Sequence, residues 1–471
     1  MKFLEDLIHL NKTNRLKIIV IGDVAIDDYK FGKVTRISPE FPVQILKSDS
    51  FNGDLQPGCA SNVCHQMTHF NVETFLLGFV DDSTRSTLKN LPFNMEYCVP
   101  LVEGKNPTKI RFYDENFPLL RWDIEQPNYG ESKKTLKNLR DKLFENFLKL
   151  TKNKIDVVIL SDYHKGLWDQ SLAKKIIQKC NEEKIITIVD PKNPPLNQWE
   201  NCSYFKPNSI EAKNLTGIAD PVKQCEKIKS KLNCKGTVIT QEGKGMIGME
   251  KQSFTYEELN PIPSEKVNSK IGAGDAFIST LAVCLGHQIP FEPACELAFK
   301  AGSKYVQAKH NKPINIFDIK QISNPIAAKF VNPEDLAVRD YKLSSTGGCF
   351  DLFHCGHLES LKFAKSKGDK LVVMVNSDKS VARLKPGRPF VSLENRMNLL
   401  AALECVDFVV SFDEDTPLEI IKKIQPDILI KGSEYQTDNI VGKEFVKEVV
   451  TCPMVEGLST SRLVEKIKSQ I

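Results

Sequence analysis

The sequence predicts an α/β protein of two consecutive units, each a doubly wound, mostly parallel sheet, the first carrying a small β flap. Three observations lead there. Continuous apolar runs ending in polar residues alternate with stretches of helical spacing; the pattern lapses between about residues 312 and 341, where Pro313, Pro325 and Pro333 are spread through polar sequence; and it then restarts on a smaller scale. At 471 residues the chain is also long for one domain. The expected organisation is a first domain over 1–318, a linker over 319–340 and a second domain over 341–471.

In chain order, Phe3, Leu4, Leu7, Ile8 and Leu10 fall on one helical stripe, and the stretch lacks the basic start and apolar core of a signal peptide. Lys17–Gly22 is a continuous apolar run, as expected of a buried strand, and Val157–Ser161, Ile185–Asp190 and Thr237–Thr240 repeat it, with helix-like stretches such as Ser171–Lys184 between them. Ligands of such sheets sit at the carboxyl ends of the strands, where Asp23, Asp27, Asp162, Asp190 and Asn208 lie. Shorter, alternating segments at 37–53 and 108–123 are expected to form an antiparallel flap. After the linker come strand 342–346, helix 358–367, strand 370–375, helix 393–403, strand 408–411, helix 417–424 and strand 428–431.

Composition excludes some functions. Sixty-four basic residues against 60 acidic ones, with no basic tract interleaved with aromatics, give no reason to expect nucleic acid. Thirteen cysteines without paired spacing fit reduced thiols in the cytoplasm, and no apolar run reaches the roughly 18–20 residues that span a bilayer. The expected protein is cytoplasmic, with no membrane partner.

Two stretches carry the chemistry. Gly348-Cys-Phe-Asp-Leu-Phe-His-Cys-Gly-His357 combines a glycine turn, two histidines three apart and a helix start, where free N–H groups and the positive dipole end favour anions. Its Cys and His spacings fit no zinc finger. Ile271-Gly-Ala-Gly-Asp275 likewise leads into an apolar helix-like stretch; small residues let backbone N–H groups approach an anion, and Asp275 could take a proton from an attacking hydroxyl. On local sequence alone Asp27 could equally cap a turn, Asn62 cap a helix and Glu211 be a first-turn carboxylate.

The first string resembles the GxFDxxHxGH signature of the nucleotidyltransferases that join a nucleoside monophosphate to a phosphorylated alcohol or sugar. Gly58-Cys-Ala-Ser-Asn62, Asn208-Ser-Ile-Glu211 and Gly272-Ala-Gly-Asp275 resemble the sugar, NxxE and anion-hole motifs of ribokinase-like carbohydrate kinases, over roughly residues 15–318. Gly22–Asp27, Arg36–Glu40, Leu160–Gly166 and Asp190–Lys192, followed by Val375–Asp378, Arg383–Lys385, Leu393–Met397 and Ile430–Gly432, resemble the bifunctional heptose 7-phosphate kinase/heptose 1-phosphate adenylyltransferases. That resemblance implies a ribokinase-like fold followed by a Rossmann-like one, sugar phosphate and ATP as substrates, Mg²⁺, and a homodimer through the flap. In the kinase half it makes Asp275 the base and Gly272, Ala273 and Gly274 the anion hole. Gly58, Asp27 and Asn62 then bind the sugar, Lys192 lies near its phosphate, and Asn208 and Glu211 serve the nucleotide. In the second half it assigns His354, His357 and Lys385 to catalysis, and Lys342, Phe350, Asp351, Arg388, Ser459 and Thr460 to the nucleotide's phosphates. No metal-ligand set is implied. Cys59 replaces the usual second glycine of the sugar motif, and Ser269-Lys270-Ile271 replaces the usual Asp and Thr before the anion hole. A different sugar phosphate, CTP in place of ATP, and a first domain that only binds or dimerises therefore remain open at this level.

Overall fold

The protein is described here by a computed structural model covering residues 2–48, 53–115, 117–192, 195–257, 271–307, 312–323, 326–433 and 440–453. It divides into two compact units, Met1–Ile319 and Lys320–Ile471.

The first unit is built on an eight-stranded sheet in the order Ser253–Glu257, Gly245–Met249, Gly236–Thr240, Tyr204–Phe205, Ile186–Asp190, Val157–Ser161, Leu16–Gly22 and Val72–Leu77. Its first two strands pair antiparallel at one edge, and the other six run parallel. Leu16–Gly22 shows why such strands read as unbroken apolar runs. Ile18 and Val20 join the apolar cluster on one face, beneath the helices Ala60–Gln66, Ala273–Gly286 and Phe291–Tyr305, while Ile19 and Ile21 join the cluster on the other, beneath Lys133–Leu150, Gln170–Glu182 and Pro221–Leu232. Both faces are covered, so both sets of alternating side chains must be apolar.

The flap differs from expectation. Val24–Ile37 leaves the core, buried over its first six residues and increasingly exposed beyond, and pairs antiparallel with Gln44–Lys47 and Asp54–Cys59 but parallel with Thr108–Asp114. The flap is therefore mixed, because the chain returns to it only after a long excursion through Val72–Leu77, which permits a parallel strand that a short hairpin cannot supply. Phe117–Ile124 then closes it antiparallel.

The second unit holds five parallel strands in the order Phe408–Phe412, Lys370–Asn376, Leu343–Gly348, Ile428–Gly432 and Glu448–Cys452. The last strand and the helix Asp378–Leu384 were not expected from the sequence. Glu448–Cys452, at the sheet's edge, runs from an exposed residue through three half-buried ones to the buried Cys452 and lacks a full apolar run. The segment expected as a linker includes the end of a helix, Ile316–Ser323. From residue 326 it is fastened to the second unit: Lys329 Nζ donates to Leu403 O at 2.7 Å, and Phe330 bridges Val409.

Two candidate active sites

In the first unit, Gly272 caps the helix Ala273–Gly286 with φ 89°, in the left-handed region. A Cβ there would meet Tyr305 Oη at 2.5 Å, so the turn that starts this helix needs glycine. Ala273, Gly274 and Asp275 form its first turn. Asp275 is buried; its Oδ2 accepts from Asn62 Nδ2 at 2.5 Å and its Oδ1 from Tyr163 Oη. Burial pushes its pKa up to about 6, against the lowering effect of those two hydrogen bonds. That is a carboxylate held near the range of a working general base.

Around it lies a cleft of about 190 Å³, lined by Asp27, Cys59, Asn62, Lys109, Arg111, Tyr163, Asp190, Lys206, Asn208, Glu211, Ile271, Gly272, Gly274 and Asp275. Asp27 and Arg111 are both buried and pair at 3.0 Å. Gly58 sits opposite Ala25 in the flap, where a Cβ would come within 3.0 Å of Asp27 Oδ2. Cys59 caps Ala60–Gln66 with φ 54° and ψ −132°, and its Sγ accepts from Lys109 Nζ at 3.1 Å. Burial pushes the Cys59 thiol up to about 11. Burial also opposes the charge on Lys109, but Cys59 and Asp27 hold its pKa above the ordinary value.

Asn208 and Glu211, expected to serve the nucleotide, form a reciprocal capping box at Ser209–Thr216, with Asn208 Oδ1 accepting from Glu211 N at 2.9 Å and Glu211 Oε2 from Asn208 N at 2.8 Å. Burial, then the nearby Asp190, raises the Glu211 pKa. Buried Lys206 pairs with Asp190 at 2.9 Å. Lys192 differs from expectation: its Nζ stands 3.3 Å from Glu211 Oε1 and it does not line the cleft. It follows the strand Ile186–Asp190, which neighbours the strand leading into Asn208, so the sheet order carries it to Glu211. Sequence reading assigned no role to Lys109, Arg111, Tyr163 or Lys206. Lys109 and Arg111 stand two apart on one strand and so share a face, and Lys206 directly precedes the Asn208 turn; those were the available signals. Ser269 and Lys270 lie outside the described residues.

In the second unit, His354 caps the helix Cys355–Lys365 and His357 lies in its first turn. Their rings stand 4.0 Å apart. Gly356 N donates to His354 Nδ1 at 3.1 Å, and His354 N to His357 Nδ1 at 3.3 Å. With both Nδ1 atoms accepting, this network assigns the proton of each neutral ring to Nε2. Burial, then His354 and Lys385, bring the His357 pKa down to about 4, and burial lowers that of His354. The pair is therefore neutral at pH 7 and meets an anion as N–H donors. Lys385, near enough to depress His357, ends the helix Asp378–Leu384, and Arg388 follows with its guanidinium 5.6 Å from the Phe390 ring.

Three expected phosphate ligands are placed otherwise. Lys342 precedes the strand Leu343–Gly348, at the end of the sheet away from the histidines. Six residues at about 3.3 Å each put roughly 20 Å between it and Gly348, where the histidine loop begins; its Nζ lies 4.0 Å from Glu448 instead. Buried Asp351 accepts from Phe390 N at 3.0 and 3.1 Å and from Val391 N at 3.0 Å, holding the loop that carries Lys385 and Arg388. Phe350 packs its ring 5.5 Å from that of His357. Ser459 and Thr460 lie outside the described residues.

Among the described residues no helix is long and apolar enough to cross a membrane. The pfkB family carbohydrate kinase model matches residues 56–313 and the cytidylyltransferase-like model residues 345–469. The "bifunctional protein HldE" of Helicobacter hepaticus is 34% identical, with 96% of each chain covered, and that of Campylobacter jejuni (strain RM1221) is 35% identical over 96% of this chain and 98% of its own. Among solved structures, phosphofructokinase-2 from Escherichia coli in complex with potassium covers 65% of this chain and 97% of its own, with a TM-score of 0.52 and 16% identity. A putative ribokinase from Agrobacterium tumefaciens covers 67% and 99%, with a TM-score of 0.51 and 12% identity. These two establish the fold of the first unit. An α/β carbohydrate-kinase unit followed by a nucleotidyltransferase unit, matched end to end by relatives of the same order, means that the chain belongs to the HldE family of bifunctional proteins.

Proposed function

We propose that the first unit phosphorylates C1 of a heptose 7-phosphate with ATP and that the second transfers AMP from ATP to the resulting 1-phosphate, giving an ADP-heptose. The observation that carries this reading is the buried Asp275 at a glycine-led helix start, sharing one cleft with Asp27 and Asn62. In the first step Asp275 takes the proton of the anomeric hydroxyl as its oxygen bonds to the γ-phosphorus and the bond to ADP breaks. The N–H groups of the Gly272–Gly274 turn face the charge that develops. In the second step the sugar 1-phosphate attacks the α-phosphorus and pyrophosphate leaves. The Nε2–H groups of His354 and His357, with Lys385, stabilise that transition state.

Mg²⁺ would accompany ATP and would supply charge that shields its phosphates. Among the described residues no group of three acidic, His or Cys side chains forms a cage. Glu211 and Asp190 fit an ion that keeps its waters and takes one or two carboxylates. The use of ATP supports a cytoplasmic location. Ile37, Phe41, Val43, Phe117, Leu120, Trp122 and Ile124, all exposed on flap strands or the turns joining them, support a homodimer through the flap.

Phosphorus NMR with ATP, Mg²⁺ and D-glycero-D-manno-heptose 7-phosphate tests both steps. A sugar bisphosphate is expected first, and a nucleotide diphosphate sugar once its 7-phosphate is removed. Asp275→Asn is expected to cut the first step by about 10²–10⁴-fold and to leave AMP transfer to supplied heptose 1-phosphate intact. A variant that kept its kinase rate would remove Asp275 from the reading.

A further inference from the structure

We propose that Tyr163 is a positioning residue for phosphoryl transfer, its hydroxyl clamping the Asp275 carboxylate so that one oxygen edge is presented to the sugar hydroxyl. The proposal rests on the assignment of Asp275 as the base. Asn62 holds Oδ2 and Tyr163 holds Oδ1, so the carboxylate plane is fixed from two elements that are distant in sequence. A carboxylate has about four lone-pair sites, and two donors leave room for the incoming hydroxyl.

The loop that delivers Tyr163 is itself pinned. Asp23, fully buried, accepts from Tyr163 N at 2.9 Å and Lys165 N at 3.2 Å through Oδ2. Its Oδ1 accepts from Leu167 N at 3.2 Å and Tyr129 Oη at 2.5 Å. Asp162 Oδ1 adds a bond from His164 N at 2.8 Å, and His164 itself has φ 58°. Lys109 Nζ, held by Cys59, lies 5.5 Å from the centre of the Tyr163 ring. A side chain located by so many bonds can hold its partner with little loss of entropy on reaching the transition state.

The groups that face Asp275 come from every element around it. They are Asn62, Tyr163, Lys109 from the flap, Asp190 and Lys206 from the strand ends, and Tyr305 from the helix Phe291–Tyr305. Of these, Tyr163 and Asn62 donate directly to the carboxylate. Removing the tyrosine hydroxyl takes a donor from the ionised form, so the base becomes harder to ionise and the active form is lost at a higher pH.

The test is Tyr163→Phe, which keeps the ring under Lys109, assayed as the pH profile of kinase kcat/KM for the sugar phosphate. The ionisations of the substrates are common to both proteins, so a difference between the two acid limbs belongs to the enzyme. The acid limb is expected to move up by about one pH unit, a loss of about tenfold at any pH on that limb, while KM on the plateau stays within about twofold. An unmoved limb overturns the proposal, and so does a pH-independent fall in kcat with raised KM, which marks general damage to the cleft. Asp275→Asn, measured alongside, separates the two levels. If it keeps kinase activity the base assignment fails; if it is inactive while Tyr163→Phe has the wild-type profile, only the clamp fails.

Discussion

Cys59 sits at φ 54° and ψ −132°, a backbone region in which a Cβ is strained by about 1–3 kcal/mol. Its place in the sugar motif is one that glycine usually fills, and the structure shows that the chain has kept the glycine geometry with a side chain in it. The thiol's sulfur accepts from Lys109 Nζ at 3.1 Å. Cys59→Gly is therefore expected to leave the stability of the first unit within about 1 kcal/mol of wild type, since release of strain offsets lost burial and added chain entropy. Ordinary truncation of a buried side chain costs about 2–5 kcal/mol. Denaturant unfolding distinguishes the two, and a loss beyond about 2 kcal/mol would mean that the conformation is not strained. At this scale sequence reading named Asp275, Asn62, His354, His357 and Lys385, each inside a short local string, and the structure brings Asp275 to Asn62 and His354 to His357. It misplaced Lys342 and missed Lys109 and Tyr163, because what those side chains reach is decided by strand pairing and loop packing.

Elements are held in register by a few buried polar groups. Arg396, almost wholly buried in the helix Leu393–Ala402, donates from Nε to Val391 O at 2.9 Å, from Nη1 to Cys349 O at 2.5 Å and from Nη2 to Asp378 Oδ1 at 2.8 Å. It thereby ties the histidine loop, the Lys385–Val391 loop and the start of Asp378–Leu384 to one point. Arg396→Ala is expected to destabilise the second unit by about 2–4 kcal/mol. AMP transfer should fall more than tenfold, with kinase activity unchanged, as thermal unfolding and the separate assays would show. At the opposite end of that sheet Asp427 accepts from Lys447 Nζ, Leu343 N and Arg339 Nη2 at 2.7, 2.9 and 3.1 Å. Burial opposes its charge, but these bonds hold its carboxyl well below the usual range. A depressed carboxyl contributes stability that is present above its unfolded pKa, near 4, and is lost as the pH falls toward the folded value. Asp427→Asn should therefore lower the thermal midpoint at pH 7 by roughly 2–4 °C, a modest effect because its lysine partner is exposed. The gap should narrow below about pH 4, and a gap independent of pH would assign the effect to packing.

At the scale of the whole molecule, exposed Trp122 and its apolar neighbours on the flap predict the oligomeric state. Trp122→Glu is expected to convert a dimer to a monomer in light scattering, with AMP transfer unaffected; a wild-type monomer at assay concentration would refute the flap interface. What the sequence by itself determined was the two-unit α/β architecture and the local strings that end at Asp275 and His357. Apolar runs, helix starts and glycine turns are written in residues near one another, and burial on both faces of a parallel sheet leaves an unmistakable pattern. What only the tertiary structure decided was which distant groups meet. The parallel return of Thr108–Asp114 to the flap brings Lys109 to Cys59, the sheet order carries Lys192 to Glu211, and the length of one strand keeps Lys342 from the histidines. Such contacts depend on strand order and direction in space, which side-chain periodicity along the chain does not encode.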